Sequence, residues 1–408
     1  MTWSSLSGER FGLVPMGGRD PHEDHRVASP LELLFDLTFA IAFNIAGQQL
    51  AHLLAEGHLW AGLLGFGFAV FAVTWAWVNF TWFASAYDTD DWLFRILTMV
   101  QMLGVMILAL GLPPMFHSLD VGHGVDVGVM VLGYVVMRLA MVGQWVRVAR
   151  QHPERRATAL AYVVNVTAAQ AGWIAMWALH LDTVPSLGLA VLLIVVEVIG
   201  PWTAERKEGG TPWHPHHVAE RYSLLAIIVL GEILFGTVAS LGAVIESEGW
   251  TADVAVVGLA GVGLCFAIWW TYFQMPSADA LHHHPEKGFR WGYGHMVIYA
   301  SIAALGAGLH VVAYELEHHS TLGPVATALT VAVPIAVYFV SMLMMTAYLA
   351  GVGRASLPIL GVKLAILGLA VALAAAGVAL PICLLVITLA PVVGVVAGER
   401  SGNYEAGI

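Results

Sequence analysis

Long apolar blocks recur along this chain and limit the folds that it can adopt. Each block reaches the roughly 20 residues that a helix needs to cross the hydrocarbon core of a bilayer. Only 11% of the 408 residues are charged, whereas a soluble domain averages about 25%. We therefore predict an all-α fold, a polytopic integral membrane helix bundle with about 12 spans.

The last two blocks are the least distinct, because Gly377 and Pro381 interrupt them and could make them one broken hairpin. The predicted spans cover residues 31–53, 59–84, 92–112, 126–148, 157–180, 184–202, 220–244, 252–275, 291–313, 324–349, 356–377 and 380–397.

Lysines and arginines collect at alternate connections between the spans. They are present before span 1, where Arg10 is the first, and in or beside every connection that follows an even-numbered span. None is present in the connections at 54–58, 113–125, 181–183, 245–251, 314–323 and 378–379. Because cytoplasmic loops hold the excess of basic residues, both termini are predicted to be cytoplasmic.

The same alternation predicts how the chain is organised. We expect a cytoplasmic segment 1–28, a six-span half 29–202, a cytoplasmic loop 203–219, a second six-span half 220–397 and a cytoplasmic tail 398–408. No apolar signal-peptide core lies in the first 28 residues, so span 1 is expected to be an uncleaved anchor.

The two halves show a loose internal similarity. Span 1 and span 7 each open with a glutamate, Glu32 and Glu220, and twelve residues later come Asn44 and Glu232. The ends of spans 2 and 8 are both rich in tryptophan. Two parallel six-span repeats would be typical of a transporter, with its site between the halves. Chance similarity between apolar segments is the alternative.

Polar side chains inside the spans are the first candidates for a site. Glu32 and Asp36 share one face of span 1, and Asn44 follows on the same half of the helix. A carboxylate in a span costs about 2.5–3.5 kcal/mol on insertion scales, so such a residue faces protein or water. Span 1 is therefore predicted to be interior.

Arg138 and Glu232 are predicted to lie near mid-membrane, and Glu197 nearer the cytoplasmic end of span 6. Arg138 needs an acidic partner, and depth favours Glu232, with Asp36 and Glu197 as alternatives. These residues predict either a substrate or proton path or a structural ion pair that locks helices together.

A second group of charges lies at the predicted cytoplasmic ends of the spans, where it could form a gate or a fixed set of ion pairs. Its members are Glu32, Asp88, Asp90, Asp91, Arg95, Glu220, Arg221 and Arg290.

Histidines suggest further sites. His295 and His310 lie inside span 9, where they could relay protons or form hydrogen bonds between helices. His214, His216 and His217, and likewise His282, His283 and His284, fall in predicted cytoplasmic loops. The 282–284 run is a weak metal candidate, and exposed loop histidines are the simpler interpretation, so no metal or cofactor is predicted.

The remaining features mainly exclude functions. The net charge of −11, concentrated on the predicted outer side, argues against nucleic acid. Motifs typical of ATPases, serine hydrolases, zinc proteases and dinucleotide enzymes are missing from the sequence, which argues against those classes. The tryptophans of spans 2 and 8 are predicted to form mostly an interfacial belt, with Trp75 and Trp269 deeper.

Three segments resemble the bacterial low temperature requirement protein A (LtrA) family. They are SPLELLFDLTFAIAF at 29–43, WVNFTWFASAYDTDDWLFRILTMVQMLG at 77–104 and ERYSLLAIIVLGE at 220–232. The resemblance extends to about residue 350 and implies a multi-span inner-membrane protein, without implying a substrate. The recurring polar positions of the family correspond here to Glu32, Asp36, Asp88, Asp90, Arg95, Glu220, Arg221 and Glu232.

Together these features predict a secondary transporter, proton-coupled, of an unknown small solute, more consistent with a carrier than with an enzyme. Asp36 and Glu232 would be the titrating carboxylates, and Arg138 the counter-charge or anion hook. The expected partners are the lipid bilayer and the solute, and oligomerisation is left open. The alternatives are a membrane-embedded metal- or cofactor-binding enzyme, with His295 and His310 as ligands, and a sensor or assembly protein.

Overall fold

The computed structural model describes residues 12–21, 23, 26–122 and 124–400, apart from the side chain of Glu248. Parts of the predicted segment 1–28, with Arg10, and of the tail 398–408 lie outside the described residues. The α-helices are α1 (Pro30–Ala55), α2 (Leu59–Tyr87), α3 (Trp92–Val121), α4 (Gly128–Gln151), α5 (Arg156–Ala178), α6 (Thr183–Ala204), α7 (Pro215–Glu248), α8 (Ala252–Phe273), α9 (Ser277–His283), α10 (Gly288–Leu316), α11 (Gly323–Ala350), α12 (Ser356–Ala375) and α13 (Leu380–Arg400).

The predicted membrane helix bundle is confirmed. Twelve helical segments in the described part of the chain are long and apolar enough to cross a membrane. The regular structure of the described residues is helical throughout, with short 3-10 turns at Pro153–Arg155 and Pro285–Lys287. The last two spans are separate helices, because the chain turns at Gly377, whose φ of 82° lies in the left-handed region that glycine adopts freely.

Two helices, α3 and α7, differ most from their predicted bounds. α3 was expected to end at residue 112, before Pro113 and Pro114, yet it continues to Val121. Prolines are tolerated inside spans when neighbouring groups satisfy the freed carbonyls. α7 begins at Pro215, five residues earlier than predicted, so His216 and His217 belong to a helix and not to a loop.

The described residues fall into two compact units. Unit 1 comprises the described residues of Met1–Ala42 and Ala72–Val218, and unit 2 those of Phe43–Phe71 and Ala219–Ile408. The chain therefore passes from one unit to the other inside α1, α2 and α7. The parallel repeat of two six-span halves stays a prediction.

In unit 1, glycines let α3 and α4 pack closely. A Cβ at Gly104 would lie 2.7 Å from the carbonyl oxygen of Gly133, and a Cβ at Gly133 would lie 2.5 Å from the amide nitrogen of Leu108. Small residues at such crossings allow backbones to approach, which is how many membrane helices associate. α3 and α4 thus form a rigid pair beside α5 and α6.

In unit 2, glycines likewise let α7 and α10 pack closely. A Cβ at Gly236 would lie 2.5 Å from the carbonyl oxygen of Gly306, and a Cβ at Gly306 would lie 2.6 Å from the carbonyl carbon of Glu232. This crossing fixes the backbone at Glu232, the mid-helix carboxylate of α7. α10 also packs tightly on α11, where a Cβ at Gly308 would lie 2.3 Å from the carbonyl oxygen of Thr330.

Candidate functional site

A buried ion pair joins α4 and α6 in unit 1. Arg138 Nη2 lies 3.2 Å from Glu197 Oε2, and the two side chains are only 5% and 4% exposed. Two tryptophans complete the site, since Trp75 Nε1 donates to Glu197 Oε2 at 2.7 Å and Trp173 Nε1 donates to Glu197 Oε1 at 3.3 Å. The carboxylate of Glu197 is therefore neutralised and well supplied with hydrogen-bond donors.

This geometry corrects the preferred partner of Arg138. Glu197 forms the ion pair with Arg138, whereas the hydrogen bond of Glu232 comes from Asn44. The preference for Glu232 was wrong, because equal depth in the sequence does not say which helix lies beside α4. Removing one member of a buried pair typically costs about 3–5 kcal/mol, because the charge of the other member is left uncompensated inside unit 1.

Asp36 is the second buried carboxylate of unit 1. Its Oδ1 accepts a hydrogen bond of 2.6 Å from Trp77 Nε1, and both residues are fully buried. Trp77, Trp82 and Trp291 are buried and so do not form the predicted interfacial belt, and Trp75, which was predicted to lie deeper, is buried as well. Trp75 and Trp77 of α2 instead supply N–H donors to carboxylates. Their positions could have suggested this role, because Trp75 and Trp77 lie well inside the predicted span and not at its end, where an interfacial tryptophan is expected.

In unit 2, a chain of three polar side chains links α1 to α7. Gln48 Nε2 donates to Asn44 Oδ1 at 2.7 Å, and Asn44 Nδ2 donates to Glu232 Oε2 at 3.1 Å. Gln48 is exposed, Asn44 is half-buried and Glu232 is 3% exposed. The chain thus runs from an accessible amide to a buried carboxyl group.

Glycines surround this carboxyl group on three helices. A Cβ at Gly47 of α1 would lie 3.6 Å from Glu232 Oε2, and Gly306 of α10 packs against the backbone of Glu232. Gly236 lies one turn further along α7. The side chain of Glu232 therefore sits where α1, α7 and α10 come close. Among the described residues, no Lys, Arg or His forms an ion pair with Glu232.

The amino-terminal ends of α1 and α7 bring a different group together in unit 1. His217 Nε2 lies 3.3 Å from Glu32 Oε2, and both side chains are buried. The expectation that His217 is an exposed loop residue was therefore wrong. Glu32 also accepts a hydrogen bond from the backbone N–H of Ser29 at 2.8 Å, which caps the start of α1.

Asp88 lies just after α2 in the same region of unit 1. Burial raises the pKa of Asp88 to about 6, and the nearby charge of Glu32 adds to this effect. A hydrogen bond from the backbone N–H of Asp90 and the charge of Arg26 act in the opposite direction. Asp88 therefore changes charge nearer neutrality than an ordinary aspartate.

The remaining predicted charges have separate partners. Arg95 pairs with Asp90 at an exposed site, with Nε 2.8 Å and Nη2 2.6 Å from the two carboxylate oxygens. Asp91 caps α3, accepting from Phe94 N at 2.9 Å, and forms a buried ion pair with Arg147. Although burial opposes it, the hydrogen bond from Arg147 and two backbone donors lower the pKa of Asp91. Arg147 was missed, since it lies in the last turns of α4 near other arginines, with no distinguishing spacing.

The other candidates of the charge group lie in unit 2, where they differ in exposure. Arg221 is fully buried, Glu220 is half-buried and Arg290 is exposed. The idea of a gate formed by the whole group stays a prediction. In unit 1, Asp90 and Asp91 form local ion pairs with arginines, and Glu32 lies beside His217.

The histidines of unit 2 show no metal geometry. His295 uses both ring nitrogens within the protein, with Nε2 3.1 Å from Tyr272 Oη and Nδ1 2.9 Å from the carbonyl oxygen of Trp291. His310 Nε2 is buried and, within the described part of the chain, has no hydrogen-bond partner. His282, His283 and His284 are exposed at the end of α9. Within residues 12–400 as described, no three His, Cys, Asp or Glu side chains converge as a metal site.

The chain is similar to known bacterial proteins. The chain is 25% identical over 331 residues to an uncharacterized protein of Rhizobium meliloti (strain 1021), covering 75% of this chain and 73% of that protein. The family model of the bacterial low temperature requirement A protein (LtrA) matches residues 27–392. That match covers Asp36, Glu197 and Glu232, eleven complete membrane-length segments and most of a twelfth. The chain therefore belongs to the bacterial low temperature requirement A (LtrA) family of multi-span membrane proteins.

Proposed function

We propose that this protein is a proton-coupled secondary transporter of a small solute, and that Glu232 binds the coupling proton. The observation that carries the proposal is the isolation of this carboxyl group. It is 3% exposed, its hydrogen-bond donor is the neutral amide of Asn44, and no described cation pairs with it. An ionised carboxylate buried without a counter-charge is costly, so binding a proton or a cation relieves that cost.

The neighbouring amides supply a means of coupling. A hydrogen bond from Asn44 to an ionised Glu232 is charge-assisted, and protonation weakens it. Asn44 and Gln48 both lie on α1, four residues apart. Loading a proton on α7 would therefore loosen a contact with α1, which is the kind of link between ion binding and helix movement that a carrier requires.

The role of Arg138 changes in this proposal. Its guanidinium is neutralised by Glu197, so we assign it as a fixed counter-charge in unit 1 and not as an anion hook for solute. Asp36 remains a second possible proton-binding carboxyl group, held by Trp77. Glu232 is preferred because Asp36 has a further interaction besides that hydrogen bond.

We further propose that the protein lies in the bacterial inner membrane with both termini in the cytoplasm. The absence of Lys and Arg from alternate connections supports this orientation. It places the amino-terminal ends of α1 and α7 on the cytoplasmic side.

The alternative functions have less support. A cofactor bound through His295 would have to replace hydrogen bonds to Tyr272 and to the Trp291 carbonyl. A role as a sensor or assembly protein stays a prediction, with no single contact that favours it.

Proton binding at Glu232 can be tested without knowing the solute. Infrared difference spectra of the purified full-length protein between acidic and alkaline buffer should contain a carboxyl C=O band that Glu232→Gln removes. Glu246→Gln is the matched control, because Glu246 is an exposed carboxylate on the same helix. The band should persist in the control, and its persistence in Glu232→Gln would refute the assignment.

Transport needs a second measurement. The protein in liposomes that contain a pH-sensitive dye should move protons when one member of a metabolite panel is added outside. Glu232→Gln should lower this movement to the level of empty liposomes, while Glu246→Gln should retain it. Solute uptake that continues unchanged in Glu232→Gln, with no accompanying proton movement, would contradict the coupling mechanism.

A further inference from the structure

Unit 2 contains a cavity of ≈ 410 Å³ that the candidate transport residues do not use. Its walls come from the end of α8, the second half of α11, the first two turns of α12 and the end of α13. The connection 351–355 lies at its mouth. A cavity of this size is within the range of small-molecule sites, about 300–1,000 Å³.

Positive charge dominates the lining of this cavity. Lys363 and Arg354 both line it, and no Asp or Glu is among the described residues that line it. Lys363 Nζ lies 4.5 Å from the ring centroid of Phe339, and in the described residues no carboxylate pairs with it. A lysine within a span normally has an anionic partner, so the missing anion points to a bound group from outside the chain.

The backbone of α13 makes room for the lysine. A Cβ at Gly394 would lie 2.5 Å from Lys363 Nζ and 2.7 Å from Lys363 Cε. Only glycine at this position leaves the ammonium group where it is. Gly398, one turn later, similarly accommodates Gln274, with 2.3 Å between its hypothetical Cβ and Gln274 Nε2. The cavity is thus built around the two polar side chains.

The remaining walls are both polar and apolar. Thr271 and Ser356 line the cavity, and so do Met342, Leu343 and Leu360. Ser356 opens α12, so the positive end of that helix dipole lies at the same side as Arg354. A ligand that matches these walls has an anionic head and a hydrocarbon body.

We propose that this cavity binds the phosphate group of an anionic amphiphile, with Lys363 and Arg354 as its cationic contacts. Basic pockets between membrane helices near the cytoplasmic surface bind phosphate-containing lipid headgroups in this way. The phosphate could come from an anionic phospholipid or from a soluble phosphorylated molecule. The two sources share the chemistry of the head and differ in the need for acyl chains.

Native mass spectrometry of the full-length protein in detergent tests the site. The probes are phosphatidylglycerol, phosphatidylcholine and the soluble headgroup analogue glycerol phosphate. Phosphatidylglycerol should bind more tightly than phosphatidylcholine, and Lys363→Met and Arg354→Gln should each weaken it by about fivefold or more. Arg150→Gln, an exposed arginine of unit 1, controls for general attraction to negative lipid and should leave the affinity unchanged.

The outcomes separate the sources and the failure of the proposal. If glycerol phosphate binds weakly or not at all, the site is assigned to lipid. If glycerol phosphate binds to the wild type and this binding is lost in Lys363→Met and Arg354→Gln, the site is assigned to a soluble phosphate. Equal affinity for the two lipids, or the same loss in Arg150→Gln, overturns the proposal. Arg354 is exposed on a connection, so its variant decides the matter even where Lys363→Met does not fold.

Discussion

At the scale of single residues, three carboxylates inside the spans have different surroundings. Glu197 has a cation and two indole N–H donors, Asp36 has an indole N–H donor, and Glu232 has an amide. A charge in the low-dielectric interior is less costly when an opposite charge and hydrogen-bond donors lie beside it. The first site therefore suits a fixed structural role, and the third suits a group that gains and loses a proton.

Asp88, outside the spans, gives a prediction about pH. Its pKa of about 6 in the folded protein exceeds the ordinary aspartate pKa of 3.8 that applies to the unfolded chain. Between these values the folded state holds a proton that the unfolded state lacks, so stability falls as pH rises through the window, by up to about 3 kcal/mol. Asp88→Asn should therefore gain stability relative to the wild type as pH is raised from about 4 to about 8, as measured by thermal unfolding in detergent.

Glu32→Gln is the control for the cause of this effect, because the charge of Glu32 helps to raise the pKa of Asp88. In the Glu32→Gln protein, the difference in stability between Asp88 and Asp88→Asn should depend less on pH. A difference that stays constant across the pH range would contradict the assigned protonation.

The residue scale is where sequence reasoning was least complete. It identified Arg138, Asp36, Glu197 and Glu232 as buried charges, since each interrupts an apolar block. It did not identify Glu197 as the partner of Arg138, because depth along a helix leaves open which neighbouring helix faces it. Indole N–H donors such as Trp75 were also missed, since hydropathy treats a tryptophan as apolar whichever way its N–H points.

At the scale of helices, glycine contacts hold pairs of helices together. The backbones of α3 and α4 in unit 1 lie so close together that only a glycine fits at their crossing. The same is true of α7 and α10 in unit 2. Dispersion contacts and close backbone approach stabilise membrane helix pairs, because lipid supplies little hydrophobic driving force between them. The crossing of α7 and α10 also positions the carboxyl group of Glu232.

A single methyl group should disturb this crossing. In Gly306→Ala the new Cβ would lie 2.6 Å from the carbonyl carbon and oxygen of Glu232 and 2.7 Å from its Cβ. These are mostly backbone atoms that cannot rotate away, so α7 and α10 must separate, at a cost of about 1–3 kcal/mol. The expected result is a lower midpoint of thermal unfolding in detergent.

Gly231→Ala is the matched control on the helix that Gly306 contacts. Nothing lies within 4 Å of a Cβ at Gly231, and alanine favours a helix over glycine by about 1 kcal/mol. This variant should be as stable as the wild type or more so. Equal destabilisation by the two substitutions would show that the close crossing does not limit stability.

Helix bounds were predictable where apolar blocks ended at polar connections. The break at Gly377 was visible in the sequence, and the two helices beside it are separate. The continuation of α3 through Pro113 and Pro114 was not, because a proline stops a helix in water more reliably than in a packed span. The local sequence gives the helix propensity of a residue, whereas the residues packed around it in the fold decide whether a lost backbone hydrogen bond is replaced.

At the scale of the whole molecule, the predicted orientation follows from the distribution of Lys and Arg among the connections. The twelve membrane-length helices in the described residues agree with an even number of crossings, which would put both ends of the chain on one side. The distribution of Lys and Arg predicts that this side is the cytoplasm.

Cysteine labelling can test this orientation. In a protein whose native Cys265 and Cys383 are replaced, His319→Cys should react with a membrane-impermeant reagent in intact cells. Glu286→Cys should react only after the membrane is permeabilised. Both side chains are exposed, at 73% and 68%, so access depends on the side of the membrane and not on packing. The opposite pattern of labelling would reverse the proposed topology.

The passage of the chain between units inside α1 and α2 affects how the protein is made. Residues 43–71 belong to unit 2, yet the rest of that unit begins only at Ala219. A ribosome therefore delivers this hairpin long before the helices that pack against it, including α7 with Glu232. Until α7 has been inserted, the side-chain amide of Asn44 lacks the carboxyl group of Glu232 as its hydrogen-bond acceptor. Another polar group must therefore bind this amide in the bilayer during early insertion.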